Sequence, residues 1–308
     1  MSKINTQPLL VLMGPTASGK STLALQLAQD LNGEIITADS MQVYRGMNIG
    51  TAKPSSAEQD LVPHHLIDIV DVDTRVDVFM YCDLAEKCIA DIKSRGKLPI
   101  LAGGTGMYIR ALLYGLDQLP ADQISRKKLD ELYDHDEGFE LLKELMQEKD
   151  LVDYERWFMH RRKLIRALEV FELTGQSITE LQKVWEDKLR IPAVVWSLSW
   201  DRDILRQRIF ERTAQMLDEG WIAEAKQMIA DGVFESPTAH QVLGYKYIGM
   251  FLDGEIDHDE MAKQIATKTW QLARRQRTWF TRKHPEAQQI DMPTDYKILL
   301  QKARDIYG

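Results

Sequence analysis

Cysteine is scarce: only Cys82 and Cys88 occur, six positions apart in a stretch with helical patterning. That spacing suits neither a metal knuckle nor a redox pair, so both read as reduced packing thiols of a cytosolic protein. Long apolar runs are also missing. Nowhere do about 18 consecutive apolar residues occur, the length a membrane-spanning helix needs, and the opening Met-Ser-Lys-Ile-Asn-Thr-Gln lacks the features of an export signal. The expectation is a cytoplasmic protein with no membrane partner. No internal repeat or low-complexity tract is found, which excludes solenoids and disordered arrays. Positive charge falls short of negative, 39 Lys and Arg against 47 Asp and Glu, for a formal net charge of -8. Taken as a sum, that argues against a polyanionic partner.

Distribution matters more than the sum. Arg156, Arg161, Arg162, Lys163 and Arg166 lie close together with one acid, Glu155, among them. A second run, Arg274, Arg275, Arg277, Arg282 and Lys283, is interleaved with Trp279 and Phe280 and preceded by Trp270. Basic and aromatic residues mixed in this way suit single-stranded nucleic acid; solvated helix faces with Arg lying over aromatics give the same pattern.

The 308 residues, 44% hydrophobic, suffice for a large core in one domain or one domain plus an insert. Leu9 to Met13, Glu34 to Ala38 and Leu98 to Ala102 are short apolar runs, each followed by a helical pattern. Strands alternating with helices predict an α/β fold with a parallel sheet flanked by helices. In such sheets ligands bind off the carboxyl ends of the strands, where these runs carry Gly14, Asp39 and Gly103-Gly104-Thr105-Gly106. From about Ala121 to Leu189 glycine nearly vanishes and long helical stretches such as Lys127 to Tyr133 and Arg161 to Leu173 take over. This predicts an all-helical insertion domain at 119–191 within a core formed by 1–118 and 192–308. A strand at Ala193 to Ser199 and a helix from Asp201 to Glu219, stopped by Gly220, resume the core.

The strongest motif is Gly14-Pro15-Thr16-Ala17-Ser18-Gly19-Lys20-Ser21, a complete P-loop pattern between a strand and a helix. Its backbone N–H groups and helix start suit phosphate or diphosphate, Lys20 adds a point charge, and Ser21 offers a hydroxyl to Mg²⁺. Such loops mark ATP-binding and other nucleotide-binding proteins. A kinase or ATPase, however, has a further strand ending in an acid that holds Mg²⁺ or orients water. Here the third run ends in Gly103-Gly104-Thr105, without a carboxylate. The acid at a strand end is Asp39, whose position is compatible with metal ligand, helix cap or general base. Arg208 and Arg212, one turn apart, read on their own as an ordinary helix-surface pair.

Taken in order, the motifs resemble one family over nearly the whole chain, the tRNA dimethylallyltransferases. The markers are Gly14 to Ser21, Ala38-Asp39-Ser40 through Tyr44, Ile49-Gly50-Thr51-Ala52-Lys53-Pro54 and Pro63-His64-His65-Leu66-Ile67-Asp68. They continue with Gly103-Gly104-Thr105, Arg166 to Val170, Gly244-Tyr245-Lys246, and Ala273-Arg274-Arg275-Gln276 with Thr278-Trp279. The resemblance implies a P-loop core with a helical insert that contacts the tRNA anticodon stem-loop. It implies transfer of a dimethylallyl group from dimethylallyl diphosphate to the exocyclic amine of the adenosine 3′ of the anticodon, with Mg²⁺ as cofactor and a monomeric state. By position Asp39 matches the general base and Arg212 a diphosphate-binding arginine; Thr16 matches a residue at the reacting centre, and Lys20 stabilises the leaving group. Implied RNA contacts are Asp39, Ser40, Met41 and Gln42 for the flipped base, then Thr105, Arg126, Arg162, Lys163, Arg166, Gly244, Lys246, Arg274, Arg275 and Gln276. Three places depart from the family pattern: Phe158-Met159-His160 before the insert's basic helix, Val76 to Tyr81, and Trp270 where arginine is usual. Trp270 removes one phosphate contact, so RNA affinity is expected to be weaker or to depend more on stacking. A small-molecule kinase and a non-catalytic RNA binder are the rival readings.

Overall fold

The computed structural model describes residues 7–182 and 188–308; the first six residues, read above as free of an export signal, and 183–187, within the predicted insert, lie outside it. The chain divides into two compact units, Met1–Leu113 with Leu189–Gly308, and Tyr114–Lys188.

The first unit is built on one sheet. Its strands are β1 (Leu9–Met13), β2 (Gly33–Ala38), β3 (His64–His65), β4 (Leu98–Gly103), β5 (Ala193–Trp200) and β6 (Gln288–Met292). They run parallel in the order β3-β2-β4-β1-β5-β6. Every residue of β1, β2 and β4 is buried, which is why these strands are largely apolar runs rather than alternating ones. On one face, α1 (Lys20–Asp30) and α14 (Tyr296–Tyr307) join a core of Leu10, Leu12, Leu27, Ile100, Trp196, Leu198 and Leu299. α2 (Ser56–Leu61) precedes β3, α3 (Val78–Ser94) follows it and α4 (Gly106–Tyr114) follows β4; the start of α3 is fixed by Asp77, whose carboxylate accepts from Phe79 N and Met80 N, each at 3.0 Å. Cys82 and Cys88 sit half-buried and unpaired on α3, and burial raises the Cys82 thiol to about 11. Both behave as inert packing groups.

A second core forms beyond β2. Val43, Tyr44 and Met47 pack with α11 (Trp221–Ala230), α12 (Tyr245–Leu252) and α13 (His258–Lys283) through Trp221, Ala225, Met228, Tyr245, Ile248 and Ile265. It holds the chain after Asp39 against helices that come nearly 200 positions later.

The second unit is helical. It contains α5 (Gln123–Tyr133), α6 (Asp136–Lys149), α7 (Leu151–Trp157), α8 (Arg161–Thr174) and α9 (Ile178–Leu181), around Leu129, Leu142, Met146, Leu164, Leu168 and Ile178. Buried Asp153 accepts from Ile178 N at 2.6 Å and Thr179 N at 3.2 Å, fixing the start of α9. The unusual Phe158-Met159-His160 leads into α8 with His160 at its N-cap and no side-chain cap bond.

Candidate functional site

All the unusual strand ends of the first unit open on one cleft of about 1440 Å³. At its floor the P-loop connects β1 to α1. Gly19 adopts φ +85°, a left-handed conformation that glycine takes without penalty, and Lys20 begins α1. Ser21 stands exposed in the same first turn. Next to the loop, Gly103 closes β4 so tightly on β2 that a Cβ would lie 2.1 Å from Ala38 O. This contact explains the glycine at the end of the third strand, and the turn beyond it carries no carboxylate.

The loop is held from three sides. Gln276 on α13 accepts from Thr16 N at 2.9 Å and donates to Gly104 O at 2.9 Å, joining the P-loop to the turn after β4. Trp200 Nε1 donates to Ser18 O at 2.9 Å, and Arg208 Nε donates to Ala17 O at 3.0 Å with its guanidinium 4.3 Å from the Trp200 ring centre. Arg208 is therefore a brace of the loop and not the surface residue its spacing suggests. Trp270 packs with Trp200 against Ala17, Leu205, Ile209 and Ala273. Trp270 stays half-buried there, one side of its ring against the apolar layer behind the P-loop.

Arg212, on α10 (Arg202–Asp218), reaches Thr16 Oγ1 at 3.4 Å and lines the cleft with Lys20 and Arg208. Burial, reinforced by the charge of Arg212 and opposed by Asp39, lowers Lys20 to about 8. Burial likewise lowers Arg212, with Asp39 opposing and Arg208 adding to it. Three cations beside the P-loop form a site whose charge asks for an anion. Asp39 accepts from Met41 N at 2.9 Å and Gln42 N at 3.4 Å through Oδ1. Among the described residues Oδ2 has no hydrogen-bond partner, so the turn-capping oxygen and an oxygen available to a ligand coexist on one side chain. Ser40 N donates to Thr105 Oγ1 at 3.0 Å, which ties the Asp39 turn to the Gly104 turn.

Of the other predicted contacts, Met41, Gln42, Thr105, Arg275 and Gln276 line the cleft. Gly244 is buried at the start of α12, and Lys246 and Arg274 are exposed. In the second unit, Arg126 and Arg166 both bind Glu169, which is 3% exposed, at 3.2 and 2.7 Å. Arg162 is exposed, and exposed Lys163 lies 4.2 Å from the Trp157 ring centre. Sequence reasoning missed Glu224 of α11, and gave Lys53 no role of its own. Lys53 Nζ donates to Tyr44 O at 2.9 Å and Asn48 Oδ1 at 3.0 Å and binds Asp68 at 2.5 Å. A lysine within the Gly-Thr-Ala-Lys-Pro motif was the available signal; Glu224 offered none.

The comparisons agree with this geometry. The model of the IPP transferase family matches residues 42–283, and that of the isopentenyl transferases matches residues 7–70. A tRNA dimethylallyltransferase of Pseudarthrobacter chlorophenolicus is 43% identical over 94% of this chain and 95% of its own. One from Geobacter metallireducens is 40% identical over 97% of both. Among solved structures, the full-length tRNA isopentenylpyrophosphate transferase of Bacillus halodurans shares 35% identity over 97% of this chain and 95% of its own, with a TM-score of 0.70. A eukaryotic dimethylallyltransferase captured acting on tRNA aligns over 93% of this chain and 74% of its own, at 28% identity and a TM-score of 0.76. Cleft, strand order and sequence together place this chain in the IPP transferase family, that of the tRNA dimethylallyltransferases.

Proposed function

We propose that this chain transfers the dimethylallyl group of dimethylallyl diphosphate to the exocyclic amine of the adenosine 3′ of the anticodon in tRNA, giving isopentenyladenosine and pyrophosphate. The observation that carries the reading is a cluster of Lys20, Arg208 and Arg212 at the P-loop beside Asp39, at a strand end whose neighbour, Gly103-Gly104-Thr105, bears no metal-holding acid. A cradle of this kind stabilises a departing diphosphate as the C1–O bond lengthens. The acceptor amine is weakly nucleophilic because its lone pair is delocalised into the ring. Asp39 Oδ2 takes its proton as the N–C bond forms, while the electron pair of the breaking bond leaves with pyrophosphate. Thr16, bonded to Arg212, sits between the cradle and the reacting carbon in this reading.

The donor that could serve Mg²⁺ is a hydroxyl: Ser21 is exposed in the first turn of α1 and lines the cleft. Ser21 offers a hydroxyl to an ion that keeps its waters and takes mainly substrate oxygens. Bound there, Mg²⁺ would neutralise diphosphate charge. Reaching the amine requires the adenosine to leave its stack, at a cost of a few kcal/mol that backbone contacts offset. We assign those contacts to Arg274 and Arg275 with Lys246 on the first unit, and to Arg162 and Lys163 on the second. We take the enzyme to act as a monomer, since cradle and base belong to one chain, and in the cytoplasm, in keeping with relatives named as tRNA-modifying enzymes.

Asp39→Ala tests the assignment. Transfer to an anticodon stem-loop is expected to fall at least about a hundredfold, the scale of general-base catalysis, with stem-loop affinity retained. Unchanged turnover would refute Asp39 as the base.

A further inference from the structure

Beyond Asp39, the cleft wall is a loop, residues 47–53, whose turns are closed from within by Ala52 N donating to Ile49 O and Lys53 N to Asn48 O, each at 2.9 Å, and by Thr51 Oγ1 donating to Met47 O at 2.6 Å. One carboxylate anchors it to α11. Glu224 Oε2 accepts from Asn48 N at 2.8 Å and Ile49 N at 2.6 Å, and Oε1 accepts from Gly50 N at 2.9 Å and the Tyr245 hydroxyl at 3.0 Å. Three consecutive amides turned toward one carboxylate form the kind of backbone concavity that elsewhere holds a free anion; here the protein supplies the anion itself. Trp221, one turn before Glu224 on α11, packs against Gly50 and lines the cleft.

The clamped loop in turn holds Gln42. Its Nε2 donates to Thr51 O at 2.9 Å and Ala52 O at 3.2 Å. Two carbonyls against one end of the amide settle which end is nitrogen. The carbonyl oxygen, Oε1, is then the remaining polar atom of a side chain that is 9% exposed and lines the cleft next to Asp39. A fixed acceptor there suits a base whose edge donates through an amine and disfavours one presenting a carbonyl, because a buried acceptor facing an acceptor is left unpaired.

We infer that Glu224 is a positioning residue: it fixes loop 47–53, which orients the Gln42 amide so that its oxygen is offered to the amine-bearing base. This deepens the proposed prenyl transfer and rests on it.

A double-mutant cycle separates positioning through Gln42 from general support of the fold. Transfer from dimethylallyl diphosphate to an anticodon stem-loop is measured for wild type, Glu224→Ala, Gln42→Ala and the double variant. Glu224→Ala is expected to lower kcat/KM for the stem-loop by about 10- to 100-fold, with the KM for dimethylallyl diphosphate within about twofold of wild type. In the Gln42→Ala background the same change is expected to cost less than about threefold. Glu224→Gln, which keeps the volume and one acceptor oxygen, goes through the same cycle and decides if the alanine variant does not fold; its loss is expected to be smaller and equally dependent on Gln42. Full activity of Glu224→Ala, or an equal loss with and without Gln42, overturns the inference while leaving prenyl transfer standing. Absence of transfer by the wild type itself removes the reading beneath it.

Discussion

Raising the pH tests the diphosphate cradle through a single group. Lys20 titrates near 8 in the free protein, against an ordinary 10.5, because burial and then Arg212 disfavour its charge while Asp39 favours it. A diphosphate bound in the loop reverses the balance and holds the ammonium charged. Binding above about pH 8 must therefore take up a proton. If the bound pKa returns to its ordinary value, the affinity for dimethylallyl diphosphate is expected to be about tenfold weaker at pH 9 than at pH 7, or about 1.4 kcal/mol for that step. The ligand's own last phosphate proton leaves near pH 6, so it contributes little to the fall. The sign for folding runs the other way. Between pH 8 and 10.5 the unfolded chain holds this proton more tightly, so Lys20 alone makes the free protein more stable as pH rises through that window. Calorimetric titration without divalent metal at pH 7, 8 and 9, repeated in two buffers of different ionisation enthalpy, gives both affinity and proton uptake. Lys20→Met should bind more weakly at pH 7 and show no tenfold fall. A flat wild-type profile, or the same fall in Lys20→Met, would refute the assignment of Lys20 as the titrating contact.

Two further outcomes concern the frame beneath the site. Glu34, whose side chain is 2% exposed, is bound by Arg95, Lys97 and His65; the Arg95 hydrogen bond leads in holding its carboxyl well below the usual range. Its contribution is present above the unfolded pKa of about 4.5 and fades as pH falls below it; urea unfolding should show Glu34→Ala less stable by about 1–3 kcal/mol at pH 7, with a flatter acid limb than wild type. Gly103→Ala places a methyl 2.1 Å from Ala38 O and should lower thermal stability by about 1–3 kcal/mol while weakening dimethylallyl diphosphate binding, because β2 and β4 carry the turns that flank the P-loop.

β1, β2 and β4 were legible because their largely apolar runs record burial on both faces, and β5 because its apolar start, Ala193 to Trp196, precedes a clear helix signal. β6, Gln-Gln-Ile-Asp-Met, lies at the edge with only Ile290 buried, and β3 has two residues, so neither leaves a pattern to read. The P-loop was legible because eight consecutive residues hold all its chemistry. What braces it was not. Arg208 meets Ala17, and Gln276 meets Thr16, across 191 and 260 positions, and such pairings depend on the folded arrangement alone. Trp270 shows the same limit from the other side: an aromatic among arginines suggests RNA stacking, and nothing in the sequence tells that its ring also packs behind the P-loop. Glu224 is the extreme case, a surface-type residue on an amphipathic helix whose role arises only where loop 47–53 meets α11.

The central claim is that the P-loop holds a leaving group and that carbon, not phosphorus, moves to RNA. Dimethylallyl diphosphate labelled in both its carbon chain and its β-phosphorus, incubated with the protein, Mg²⁺ and an anticodon stem-loop, measures this in one experiment. Carbon label recovered in isopentenyladenosine, with all the phosphorus released as pyrophosphate, is the predicted result. Phosphorus label in the RNA, or no carbon label in any nucleoside, would contradict the account.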